Sequence, residues 1–271
     1  MRKESLLYAI PSWHCNLSCP HCYVNEKDDN YNRDKFMESL NKFNGEVVIF
    51  GGEPTVHLDR LYDIINLNKD KIKSVSTNLM ILNDELISIY KSLHGIATSW
   101  NPHRFTNDSQ YNTWMNHCKI ISDNDIKYTL MITLTDDLFE IPILEFINKL
   151  KTWITPSLKT IKFEHYVGTE STADYFERTD NWLCILYQHW DLEIPLQIAD
   201  KVNNWKHDCS NIYTLEPTGV IRPGCPHKQL VSIPNECFNC ERFEICQPCR
   251  LQRYCSYPKK FAKLVKENNN E

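Results

Sequence analysis

From the N-terminus to about residue 190, short apolar runs rich in β-branched and aromatic residues alternate with longer stretches whose apolar positions recur at helical spacing. The strand-length runs fall at residues 6–10, 46–50, 74–77, 96–99, 128–134 and 160–166. Helical stretches cover 33–43, 58–67, 84–93, 109–121, 138–153 and 171–189, with Asn83 as the cap of the third and Asp180 and Asn181 as a point where the sixth can break. This rhythm predicts an α/β architecture of parallel strands joined by crossover helices, either a sheet or an incomplete (β/α) barrel. In both, chemistry gathers at the carboxyl ends of the strands, so the residues following each strand matter most.

The rhythm stops after Leu192. Pro195, Pro217, Pro223, Pro226, Pro234 and Pro248 then punctuate a segment that cannot hold long helices. From Lys259 the chain carries Lys260, Lys263 and Lys266 and ends Glu-Asn-Asn-Asn-Glu, which reads as a solvated helix fraying into disorder. The expected organisation is a barrel over residues 1–192, a cysteine-rich domain over 193–258 and a polar tail over 259–271.

The 271 residues include 42% hydrophobic and 24% charged side chains and carry a formal charge of -5, a globular composition that implies no extended basic surface for nucleic acid. No apolar stretch reaches membrane-spanning length, and the 6–10 run is too short for a signal peptide, so a cytoplasmic protein without a membrane partner is expected. In that setting the 12 cysteines change the picture. Three lie between residues 15 and 22 and seven between 209 and 255, while Cys118 and Cys184 stand alone among apolar helical neighbours that bury them. Clustered thiols in a reducing compartment point to metal rather than disulfides.

Directly after the first strand, the run CNLSCPHC separates Cys15, Cys19 and Cys22 by three and then two residues. Three thiolates on one loop can hold three corners of a cubic iron-sulfur cluster and leave one iron for another ligand. A zinc site completed by His14 or His21 meets the same spacing. After the second strand comes VVIFGGEPT, where Gly51 and Gly52 permit close backbone approach and Glu53 can accept from a cation. Following strands one and two in this order, the two motifs together resemble the radical S-adenosylmethionine (radical SAM) superfamily.

The resemblance implies that Cys15, Cys19 and Cys22 ligate a 4Fe-4S cluster whose remaining iron is chelated by the amine and carboxylate of SAM. It implies His21 beside the cluster and adenine, and Gly51, Gly52, Glu53 and Pro54 at the methionyl amine. Ser76 and Asn78, in the Ser-Thr-Asn that ends strand three, and Ser99, at the end of strand four, are implied as further SAM contacts, with Asn101 a weaker match. Leu79 replaces the glycine that follows Ser-Thr-Asn in many members, and Ser99 opens Ser-Trp-Asn-Pro where SxDG is usual. The implied chemistry is one-electron cleavage of SAM to methionine and a 5'-deoxyadenosyl radical, which takes hydrogen from an unactivated carbon.

The second thiol group, Cys209, Cys225, Cys237, Cys240, Cys246, Cys249 and Cys255, crowds 47 residues, and LEPTGVIRPGC within it reads as a small hairpin presenting Cys225. This resembles the SPASM extension of radical SAM enzymes, which carries two auxiliary clusters. Mapped so, Cys237, Cys240, Cys246 and Cys255 hold one, while Cys209, Cys225 and Cys249 hold the other with one ligand missing. A single-cluster "twitch" variant and a zinc knuckle of Cys237, Cys240, Cys246 and Cys249 are the alternatives. The whole then resembles a partial (β/α)6 TIM-like barrel followed by a small cysteine-rich iron-sulfur domain. Its implied cofactors are SAM, the SAM-binding 4Fe-4S cluster and one or two auxiliary 4Fe-4S clusters.

SPASM members most often oxidise or cross-link a carbon of a peptide or protein, so a peptide maturase activity is implied, served by an electron donor such as flavodoxin or ferredoxin. Because Cys15 already belongs to the cluster loop, no leader-binding region is expected before the barrel. A separate peptide-delivery protein would compensate, or the substrate is a small molecule, as in twitch-type dehydrogenases. A non-catalytic iron-sulfur electron carrier is a further reading, against which the intact Gly-Gly-Glu-Pro argues. For acid-base chemistry, Glu164, His165 and Tyr166 close strand six and Asp136 and Asp137 follow strand five; His165 and Tyr166 are the catalytic candidates.

Overall fold

The computed structural model describes residues 5–22, 24, 30–165, 172–196, 211–226 and 258–269. Tyr166 and six of the expected auxiliary ligands, Cys209, Cys237, Cys240, Cys246, Cys249 and Cys255, lie outside them. Strands β1 (Leu6–Ala9), β2 (Glu46–Ile49), β3 (Ile72–Ser76), β4 (Gly95–Trp100), β5 (Tyr128–Leu134) and β6 (Leu158–His165) pair in chain order, every pair parallel. Right-handed crossovers that always step toward the same edge put every connecting helix on one face. The other face is left as the concave interior of an open, partial barrel.

The connecting helices are α1 (Arg33–Lys42), α2 (Leu58–Asn68), α3 (Asp84–Lys91), α4 (Asp108–Asp123), α5 (Asp136–Phe139), α6 (Ile143–Trp153) and α7 (Ala173–Gln188). Polar caps set their starts: Asn32, Asn83, Asn107 and Thr172 each accept from a backbone N–H one turn ahead. The single helix expected over 138–153 is instead two, because Pro142 has no N–H to donate and disfavours a helical Ile141; the chain turns extended there, with Pro142 at ψ 133. The core lies between sheet and helices. Thr98 Oγ1 accepts from the Trp114 indole of α4 at 3.1 Å, and Trp100 packs on Phe146 and Trp153 of α6. Those β4 residues therefore face the helices, and Ala97 and Ser99 face the concave side.

The expected hairpin forms as β7 (Ile212–Leu215) and β8 (Ile221–Pro223), antiparallel to each other. It does not stand apart: β7 pairs parallel to β1, giving one eight-stranded sheet in the order β6-β5-β4-β3-β2-β1-β7-β8. The tail also departs from expectation. Helix α8 (Lys259–Asn269) keeps Lys260, Lys263 and Lys266 exposed but buries Phe261, Ala262 and Val265, with α7 as its neighbour. Asp180 does not break α7; its two carboxylate oxygens accept the Lys260 and Phe261 N–H groups, both at 2.8 Å, and cap α8. No helix among the described residues is long and apolar enough to cross a membrane.

Candidate active site

The loop after β1 and the loop after β2 lie backbone against backbone at the carboxyl end of the barrel. Gly52 N–H donates to Ser12 O at 3.1 Å and Glu53 N–H to His14 O at 2.7 Å. A Cβ on Gly52 would stand 2.1 Å from His14 O and 2.4 Å from Trp13 O, and Gly51 has φ +135. The glycine pair is thus required by the close passage of the cysteine loop itself. On that loop Cys15 and Cys19 are half-buried, Cys22 is exposed, and none of the three forms a disulfide among the described residues. Cys22 N–H donates to Cys19 O at 3.1 Å, and Cys15 Sγ accepts the Leu17 N–H at 3.4 Å.

Glu53 is 1% exposed and serves as an internal hub. Its Oε1 accepts from Thr55 N–H at 3.1 Å, Thr55 Oγ1 at 2.7 Å and Thr77 Oγ1 at 2.8 Å, and its Oε2 from Asn78 N–H at 2.5 Å. Burial lifts this carboxyl above its ordinary range, against the opposing pull of those hydrogen bonds. One carboxylate therefore ties the Gly-Gly-Glu loop to the Ser-Thr-Asn turn after β3. That turn keeps a glycine-like backbone without its glycine: Leu79 sits at φ 55, fully buried, with its N–H on Thr77 Oγ1 at 3.1 Å. His117 Nδ1 of α4 lies 2.7 Å from Leu79 O, and since a carbonyl only accepts, Nδ1 carries the proton. Asn78 reaches the cysteine loop, with Nδ2 2.7 Å from Asn16 Oδ1 and 3.8 Å from Cys15 Sγ.

Burial raises the Cys15 thiol above its usual value; the Leu17 N–H opposes this, Glu53 and Cys19 reinforce it and Arg104 opposes it. Arg104, from the loop after β4, also acts on His21. Burial and then the Arg104 charge pull that imidazole down to about 4, against Asp137, so it is neutral at physiological pH. Arg104 Nε is buried and meets no acceptor among the described residues. Arg104 escaped the sequence reading because a lone arginine in a loop carries no motif.

On the concave face Ser99, Met131 and Lys162 stand in one row across β4, β5 and β6. Ser76 lies on the same face of β3, opposite in phase to the buried Val75. Lys162 forms an ion pair with Glu164, two residues further along the same face. Burial alone would push the Lys162 ammonium down, but the adjacent carboxylate outweighs it and holds the group above its ordinary value, with a smaller contribution from Tyr8. Tyr8 is on β1, so the sheet curls far enough for its first and sixth strands to face one another. Lys162 was missed, although Lys162 and Glu164, alternating with Ile161 and Phe163, were a legible sign of a charged pair on one strand face. His165 points the other way: its ring lies 5.5 Å from Phe176 and 6.4 Å from Tyr175 of α7. Asn101 spends its side chain on the β5 backbone, with Thr133 N–H donating to its Oδ1 at 3.2 Å and its Nδ2 donating to Thr133 O.

The hairpin that presents Cys225 is strapped to this mouth. Ile10 N–H donates to Leu215 O and Asn32 N–H to Pro217 O, both at 2.9 Å, and Ser39 Oγ donates to Gly219 O at 2.7 Å. Cys118 is buried and Cys184 half-buried, which raises their thiols to about 12 and about 11, so both behave as core side chains.

The donor set fits an iron-sulfur cluster: three thiols outside any disulfide within one short loop, with N–H donors already directed at Cys15 Sγ. Among the described residues no three His, Cys, Asp or Glu side chains converge on a single point as ligands of one ion do. A cubane does not ask for that, because each thiolate binds a different iron.

No protein-family model and no curated protein matches the sequence. Solved structures share its fold. The protein anSMEcpe with bound AdoMet matches with a TM-score of 0.70 over 97% of this chain and 97% of that one, at 14% identity. SuiB of Streptococcus suis bound to S-adenosylmethionine matches at 0.62, over 90% of this chain and 72% of its own, at 14% identity. SuiB bound to the precursor peptide SuiA matches at 0.60, over 90% and 71%, also at 14% identity. The chain shares the fold of these S-adenosylmethionine-bound proteins.

Proposed function

We propose that this protein is a radical SAM enzyme that takes a hydrogen atom from a carbon of a peptide or protein substrate. The observation that carries the reading is the meeting, at one end of one barrel, of three cysteine thiols after β1, Gly-Gly-Glu after β2 and Ser-Thr-Asn after β3, knit together by Glu53 and Asn78. The fold shared with AdoMet-bound proteins supports it, and so does a neighbour seen with a precursor peptide. Cys15, Cys19 and Cys22 would hold the cluster, which with SAM bound supplies the electron that releases a 5'-deoxyadenosyl radical. Cys225, together with Cys209, Cys237, Cys240, Cys246, Cys249 and Cys255, would hold one or two auxiliary clusters.

The chain's own residues orient and shield. Gly51, Gly52, Pro54 and the buried Glu53 form the rigid shelf for the methionyl amine, Ser76 and Ser99 line the concave wall, and neutral His21 flanks the cysteine loop. Arg104 brings a positive charge to the same mouth, with an Nε–H that meets no acceptor among the described residues. Tyr8, Ala97 and Met131 line the same concave face. Lys162 and Glu164 offer a donor and an acceptor side by side, complementary to a peptide amide, which favours a peptide over a small anionic substrate.

The test is anaerobic reconstitution followed by SAM and dithionite, with 5'-deoxyadenosine and methionine quantified by mass spectrometry. Wild type is expected to form both and Cys19→Ala neither. A wild-type protein that binds a 4Fe-4S cluster and SAM yet forms no 5'-deoxyadenosine overturns the proposal.

A further inference from the structure

Asn78 is 3% exposed, and its polar atoms are committed one by one. Its N–H donates to Glu53 Oε2, and its Oδ1 accepts the Met80 N–H at 2.9 Å. That second bond identifies the two ends of the amide, since a backbone N–H must meet the oxygen; the nitrogen therefore faces the cysteine loop. The NH2 group has two protons and two acceptors there, Asn16 Oδ1 at 2.7 Å and Cys15 Sγ at 3.8 Å. The turn is held in place at a cost in strain, with Leu79 at φ 55 and its carbonyl on His117. The sequence resemblance put Asn78 among the SAM contacts, but this amide is already spent.

We propose that Asn78 is a positioning residue for the cluster loop: it orients Cys15 and donates an N–H···S hydrogen bond to its thiolate, raising the reduction potential of the cluster held there. The inference rests on the reading of Cys15, Cys19 and Cys22 as cluster ligands. A thiolate is a stronger acceptor than a thiol, and the reduced cluster carries the larger negative charge, so a donor at the sulfur favours the reduced state. Buried in the protein, the donor is shielded from exchange with water.

The experiment is EPR-monitored redox titration of full-length, anaerobically reconstituted protein, following the signal that SAM perturbs. Asn78→Ala is expected to retain iron but to shift the reduction equilibrium about tenfold toward the oxidised form, about 59 mV lower for one electron. Asn16→Ala, which keeps the donor to sulfur, is expected to leave the potential within a third of that shift. An Asn78→Ala potential equal to wild type overturns the inference. Where Asn78→Ala holds no cluster, wild type labelled with 15N in asparagine side chains decides: a nitrogen hyperfine coupling to the reduced, SAM-responsive cluster supports the bond and its absence overturns it. Wild type with no SAM-responsive cluster at all overturns instead the ligand assignment beneath it.

Discussion

The indole Nε1 of Trp13 donates to Glu216 Oε2 at 3.2 Å, joining residues 203 positions apart in the chain. Glu216 Oε1 accepts Arg222 Nε at 2.8 Å, and the rest of that guanidinium holds the carbonyls of Cys225 and Pro226 at 2.8 and 2.7 Å. One half-buried carboxylate thus couples the loop that carries Cys15 to the turn that carries Cys225.

Glu216→Ala strands the Arg222 guanidinium and should lower unfolding free energy by about 2 kcal/mol in urea titration. The same variant should speed alkylation of Cys225 several-fold, read by mass spectrometry of the labelled peptide. Unchanged labelling would mean that the turn is held without the carboxylate.

At Leu79 the usual order of substitutions should reverse. Leu79→Ala opens a cavity and keeps the φ 55 strain, whereas Leu79→Gly opens a similar cavity and relieves it. The glycine variant should therefore be more stable than the alanine variant by about 1 kcal/mol, although both fall below wild type. Calorimetry on the pair checks this, and an alanine variant that melts higher contradicts the strained turn.

Glu53 sets a pH dependence whose sign follows from its burial. Its folded-state carboxyl titrates above the ordinary 4.5, so the native state retains a proton that the unfolded chain has already released. Stability is therefore lost as pH rises from the ordinary value through the raised one. Glu53→Gln has no such titration, and the wild-type minus variant unfolding free energy should fall as pH rises above the ordinary carboxyl value of 4.5. Urea titrations at stepped pH measure it; a difference that rises with pH contradicts the raised value.

Lys162 and Glu164 form a pair whose halves depend on each other. Lys162→Met alone leaves a carboxylate on a half-buried face and should cost more stability than Lys162→Met with Glu164→Leu. If the pair serves substrate rather than SAM, the double variant still forms 5'-deoxyadenosine at close to the wild-type rate. A loss of tenfold or more would move the pair to the cofactor.

Asp180→Ala removes both acceptors that cap α8, which should cost about 1–2 kcal/mol and expose the C-terminal helix to limited proteolysis. Asp180→Asn keeps one acceptor and should fall between wild type and the alanine variant.

The sequence by itself determined what is written in neighbouring residues. Strand and helix order follow from hydrophobic period, the start of the third helix from Asn83, and the thiol trio from one loop whose spacing needs no fold to read. Even the break at Pro142 was there to be seen, hidden only by the apolar periodicity on both sides of it. The rest joins residues far apart, and there the tertiary structure decided. That Glu53 serves Thr77 and Asn78, that Asn78 reaches back to Cys15, that Lys162 lines the interior while His165 turns to α7, and that Trp13 meets Glu216 all depend on strand register and on the curl of the sheet. Register is set by the packing of whole faces against one another, so one residue's partner depends on every strand between them.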